Sequence, residues 1–167
     1  MASGRFPDSR SIRSDRRRPV RKYALDSNCY IDATREPVAR DALEAFTARE
    51  APRLYLSAVV AAELRAGCRS SRDRRQLEDH VLAPFVRRGR ILTPSRAAWD
   101  ALGLTLSQLR EEGALQLASM PRGFAFDVLI AFSCREAGVV LVTRNTRDME
   151  RIRSVFRFEF VAPFPTR

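Results

Sequence analysis

The chain has 167 residues, enough for one well-buried domain and too few for two comfortable ones. With 45% hydrophobic and 30% charged residues, no apolar run of bilayer-spanning length and no signal-peptide core, it reads as a cytoplasmic globular protein without a membrane segment. A net charge of +10 asks for an acidic partner, while three scattered cysteines and a single histidine, His80, argue against a disulfide scaffold and exclude multi-histidine metal sites.

Residues 1–22 carry eight basic against two acidic residues, a net of +6, in a Ser-, Pro- and Arg-rich stretch with little to bury. This stretch is expected to be a solvated basic arm that could track phosphates, with a transit peptide or an idle extension as alternatives. From Tyr23 onward strands and helices alternate. Tyr23-Ala24-Leu25 is a short apolar strand that stops at Asp26, and Ser27 and Asn28 are turn and cap types before a helical turn at Cys29-Tyr30-Ile31. Pro37 opens a helix with a Val38, Ala42, Leu43, Phe46 stripe, which Pro52 breaks. Leu54-Tyr55-Leu56 is the second strand, and Ser57 caps a helix over Ala58–Ala66 that Gly67 closes. A basic-faced helix follows over about Arg72–Arg88, then a strand over Arg90–Thr93. A longer helix from Ser95 through Trp99 to Leu109 breaks near Glu112-Gly113, with Trp99 expected in the core or at a subunit contact. Phe124, Ile130, Ala131 and Cys134 recur at helical spacing up to Gly138, where a left-handed turn leads into the buried strand Val139–Val142. A brief helix around Met149–Ile152 precedes an alternating run, Phe156–Val161, expected as the last strand. Residues 23–167 thus read as one α/β domain with a mostly parallel sheet.

Several chemistries are absent from the sequence. It has no Gly-x-Gly-x-x-Gly fingerprint, no phosphate-binding P-loop and no nucleophile elbow. Lys22, the only lysine, precedes the first strand, which disfavours phospho-aspartate chemistry. Four acids remain. Asp26 stands at one strand end and Asp148 beyond another, while Glu63 and Asp127 project among apolar helix residues, a costly place for a carboxylate without a counter-charge. Carboxylates without histidine or paired thiolates select hard cations, Mg²⁺ or Mn²⁺. Such an ion on a basic chain points to metal-assisted hydrolysis of nucleic acid.

Leu25-Asp26-Ser27-Asn28, Ala62-Glu63-Leu64-Arg65-Ala66-Gly67, Asp127-Val128-Leu129-Ile130-Ala131 and the run from Thr143 to Ile152 resemble, in order and spacing, the four signature blocks of PIN-domain ribonucleases, VapC-type toxins above all. The resemblance implies a three-layer α/β/α fold with about five short strands, Mg²⁺- or Mn²⁺-dependent endoribonuclease activity, homodimerisation and restraint by a small cognate antitoxin. Asp26, Glu63, Asp127 and Asp148 match its acidic quartet. Asn28, Thr143 and Asn145 match residues that position acids and substrate, and Ser27 replaces a common threonine while keeping the hydroxyl.

Each acid has a plain alternative. Asp26 could be a helix cap, Glu63 a helix acid reaching solvent beside Arg65, Asp127 a complement to the helix dipole, and Asp148 half of a capping box with Asn145. A catalytically silent RNA- or protein-binding module of the same fold is the competing reading of the whole chain.

Overall fold

Strand residues divide by parity between two cores. The computed structural model describes residues 20–116, 118 and 120–164. In β1 (Lys22–Leu25) Ala24 faces one core while Tyr23 and Leu25 face the other. In β2 (Leu54–Ser57) Leu56 opposes Leu54, and in β4 (Val139–Val142) Val139 and Leu141 oppose Val140 and Val142. A strand with period-two side chains that are apolar on both faces needs cover above and below, which is the condition of a parallel sheet.

That cover comes from the intervening helices. On one face lie α1 (Ser27–Arg35) and α2 (Pro37–Glu50), which contribute Cys29 and Phe46. On the other lie α3 (Ala58–Gly67), α6 (Arg96–Glu111), α7 (Arg122–Ala137) and α8 (Thr146–Val155), contributing Val60, Leu109, Phe124, Val128, Ile130, Met149 and Ile152. The result is a three-layer α/β/α sandwich. Its five strands, completed by β3 (Ile91–Leu92) and β5 (Phe160–Val161), are all parallel in the order β3-β2-β1-β4-β5. The chain leaves β1 toward β2 on one side and returns to β4 on the other. The carboxyl ends of β1 and β4 therefore flank the topological switch point, where open α/β sheets bind their ligands.

Several expectations need adjustment. The predicted arm over residues 1–22 lies outside the described residues except for exposed Val20 and Arg21 and for Lys22, which opens β1. The basic-faced helix is present as α4 (Ser71–Gln76) and α5 (Ala83–Arg87) joined by π-helical turns over Leu77–Leu82. Pro84 has no N–H to donate, and the amide of Ala83 reaches back five residues to the carbonyl of Glu78. Gly67 ends α3 as its last helical residue, and Cys68, with φ −68°, is the cap, so no left-handed glycine closes that helix. Trp99 is 57% exposed, which excludes the core and leaves the subunit contact of its two expected places. Of the run Phe156–Val161 only the last two residues pair as a strand, opposite Leu141 and Val142. The alternation before them reflects ring packing instead: Phe156 meets Phe132 of α7 edge-on at 5.2 Å, and Phe158 is buried.

Cys29, Cys68 and Cys134 are free thiols, and burial pushes Cys29 and Cys134 up to about 12, so both behave as small apolar residues. Among the described residues no helix is long and apolar enough to cross a membrane. Gly138 takes φ +61° at the end of α7, as the sequence predicts. No atom lies within 4 Å of where its Cβ would stand, so Gly138→Ala has only the left-handed backbone to oppose it. An expected loss of about 1 kcal/mol can be read from the denaturant midpoint.

Candidate active site: an acidic pocket at the switch point

Asp26 follows β1 directly and caps α1. Its carboxylate accepts a hydrogen bond from the Ser27 amide at 2.6 Å and another from the Asn28 side chain at 2.6 Å. The hydroxyl of Thr143, the first residue after β4, donates to the same carboxylate at 2.5 Å. That hydroxyl also accepts from the Asn28 side chain and from the Asn145 amide, both at 3.0 Å. Thr143 is fully buried and Asp26 nearly so. One hydroxyl thus locks the ends of the two central strands together. The cap reading of Asp26 holds, but a cap alone would need neither Thr143 nor Asn28.

Glu63 and Asp127 reach the same place from α3 and α7. Glu63 is half-buried, and its carboxyl is raised above its usual range by burial and by the Asp26 charge, partly offset by a hydrogen bond from Ser27. Its Oε2 is buried without a hydrogen-bond partner among the described residues. Arg65 is turned away, forked onto Glu78 at 2.6 and 3.0 Å, and does not neutralise it. Asp127 is pushed up to about 8, first by burial and then by the charges of Asp26, Asp148 and Glu63, against one favourable hydrogen bond from Asn145. It is the sixth residue of α7, too far along to serve the helix dipole.

The Asn145 side chain donates to Asp127 at 3.0 Å and to Asp148 at 3.2 Å, tying α7 to α8. Because the Asn145 amide is already bonded to Thr143 and its side chain caps nothing, no capping box forms with Asp148. The second oxygen of Asp148 accepts from Arg151 at 3.0 Å. Arg151 also donates to the carbonyl of Ala114 at 2.6 Å and lies 4.8 Å over the Phe124 ring.

Sequence reasoning assigned no role to Arg151, although the i,i+3 spacing to Asp148 was available as a signal. It likewise missed Arg144, whose guanidinium meets Asp32 of α1 at 2.7 Å. Arg151→Ala is expected to cost about 1–2 kcal/mol, through the ion pair, the carbonyl bond and the ring contact together. A urea titration checks it.

The donor set is all oxygen, and the raised Asp127 and partnerless Glu63 Oε2 mark an excess of negative charge with an unmet need for a cation. These residues fit a hard divalent ion. Among the described residues no three acidic, histidine or cysteine side chains are already gathered into a ligand set, so ion binding requires side-chain adjustment. A cavity of about 900 Å³ lies at the opposite end of the sheet and is lined by none of these acids.

The family model for the PIN domain matches residues 23–155. The chain is also similar in structure to FitAB bound to an IR36 DNA fragment, at TM-score 0.63 and 20% identity over 87% of this chain and 97% of that one. DNA-bound VapBC from Salmonella typhimurium is similar at TM-score 0.61 and 24% identity, over 85% and 98% of the two chains. FitAcB from Neisseria gonorrhoeae is similar at 0.61 and 22%, over 83% and 95%. At these identities the likeness establishes the fold. No curated protein sequence matches the chain.

Proposed function

Because the chain belongs to the PIN-domain family, whose members are generally nucleases, we propose that it is a divalent-metal-dependent endoribonuclease and the toxin of a toxin–antitoxin pair. The observation that carries the reading is the buried carboxyl of Asp127, which feels the charges of Asp26, Asp148 and Glu63, beside a buried Glu63 oxygen that has no partner among the described residues. Asp26, Glu63 and Asp127 would hold Mg²⁺ or Mn²⁺, with Asp148 completing or orienting its water shell. Bound there, the ion would acidify a water and stabilise charge developing on a phosphodiester.

The chain's own residues set the stage. Thr143 and Asn28 fix Asp26, Ser27 restrains Glu63, and Asn145 holds Asp127 and Asp148 in one orientation. The net charge of +10 draws the polyanion in. Water adds in line at phosphorus and the bond to the 3′ oxygen breaks, leaving a 5′-phosphate and a 3′-hydroxyl. The partners we propose are an RNA substrate, a second copy of the chain and a small cognate antitoxin. The likeness to the VapBC and FitAB structures supports the last of these.

Purified protein with Mn²⁺ is expected to cut a structured RNA and to stop when the ion is chelated, with 5′-phosphate ends found by end sequencing. One observation favours a second reading, a silent RNA binder: Arg151 already neutralises part of Asp148. RNA affinity without cleavage across Mg²⁺ and Mn²⁺ would establish that reading in place of the first.

A further inference from the structure

The cavity at the amino end of the sheet is lined by four arginines, Arg21, Arg135, Arg153 and Arg157, with Glu159 as its only acid among the described residues. Its floor is apolar, formed in part by Val139, Val140 and Phe158. At about 900 Å³ it falls within the roughly 300–1,000 Å³ range of ligand sites. We propose that this groove binds single-stranded RNA through its phosphate backbone, at a site separate from the acidic pocket.

Guanidinium groups with unused donors make the first argument. Arg157 is exposed and forms no hydrogen bond or ion pair with the described residues. Arg135 is exposed too and has no ion pair among them, but it is held in place, 5.3 Å over the Phe132 ring and 5.7 Å over Phe156. A planar fork fixed on rings loses little freedom when it takes a phosphate oxygen, and it suits the bidentate geometry phosphate offers. Arg153 sits 5.0 Å over Phe160 and is partly neutralised by Glu150. Glu159 faces Arg21 at 3.9 Å across a largely exposed pair, which holds neither side chain firmly.

Aromatic rings interleave with these cations. Phe156, Phe158 and Phe160 form a ladder with centroids 5.6 and 5.5 Å apart, and Phe132 extends it at 5.2 Å. Of these rings Phe158 lines the groove, while Phe132, Phe156 and Phe160 hold Arg135 and Arg153, so fixed guanidiniums stand beside an aromatic wall, the combination by which proteins track single-stranded nucleic acid. The net charge of +10 adds a field that attracts a polyanion. The groove is also connected to the acids through α7, which carries Asp127 in its second turn and Arg135 eight residues later, about 12 Å along its axis.

Binding measured in chelator makes the test independent of cleavage, so the groove and the nuclease reading can fail separately. The full chain, its double variant Arg135→Glu/Arg157→Glu and an equally charged control, Arg72→Glu/Arg75→Glu on α4, are titrated with a labelled oligo(U) strand at several salt concentrations. The groove variant is expected to bind more weakly, with a slope of log K against log salt shallower by about 1.4, as the loss of two single-strand phosphate contacts requires. The control should keep most of the wild-type slope. Wild-type behaviour in the groove variant, an equal loss in the control, or tighter binding of duplex DNA than of the single strand would each overturn the proposal. Should the charge reversal not fold, Arg135→Gln/Arg157→Gln carries the same expectation.

Discussion

Asp127→Asn is expected to lower RNA cleavage by about 10³-fold, the several kcal/mol that a metal-coordinating carboxylate supplies to a phosphodiester transition state. The amide keeps the shape and can still accept from Asn145, so fold and RNA affinity should survive. Stability gives the same variant a second readout. The Asp127 carboxyl is raised from 3.8 to about 8, so the folded state holds this proton more tightly than the unfolded chain does. Without metal, this group makes stability decline as pH rises from about 4 through about 8, and level off above. The substituted amide cannot ionise. The variant should therefore match the wild type near pH 4 and exceed it at pH 9 by on the order of 5 kcal/mol, with the pH slope flattened. Melting curves across that range, in chelator, measure it.

Thr143→Val carries the largest expected stability loss. The fully buried hydroxyl serves Asp26, Asn28 and the Asn145 amide at once, and valine keeps its volume while removing all three bonds. Losing one bond to a buried charge and leaving a backbone donor unmet should cost about 3–4 kcal/mol, read from urea titrations. Cleavage should fall with it, because Asp26 and the Asn145 bridge both depend on this side chain. Thr143→Ser keeps the hydroxyl and should recover most of both. Failure of serine to rescue would trace the loss to the methyl group and the core.

What the sequence made legible follows from how local each signal is. Short apolar runs ending in polar residues located β1, β2 and β4, and the ordered acids located the switch point before any pairing was known. Asp127 stood out because a carboxylate among Phe124, Ile130 and Ala131 is anomalous at helical spacing. Contacts between distant segments left no such trace. The Thr143 bond to Asp26 joins residues 117 apart, and Arg151 reaches Ala114 across 37. The Phe156–Val161 run misled for a physical reason: alternate rings packing on helices produce the same period-two pattern as a ladder. In the case of Trp99, apolar character alone did not decide burial, since single large apolar residues are common on surfaces.

The central claim is that acids from β1, α3 and α7 share a pocket made for a divalent ion. The direct measurement is Mn²⁺ binding, followed by electron paramagnetic resonance, for the wild type and for Glu63→Gln/Asp127→Asn at pH 6 and pH 8. The account predicts wild-type binding that tightens from pH 6 to pH 8, as Asp127 gives up its proton, and its loss in the double variant. Equal Mn²⁺ affinity in the two proteins at both pH values would contradict it.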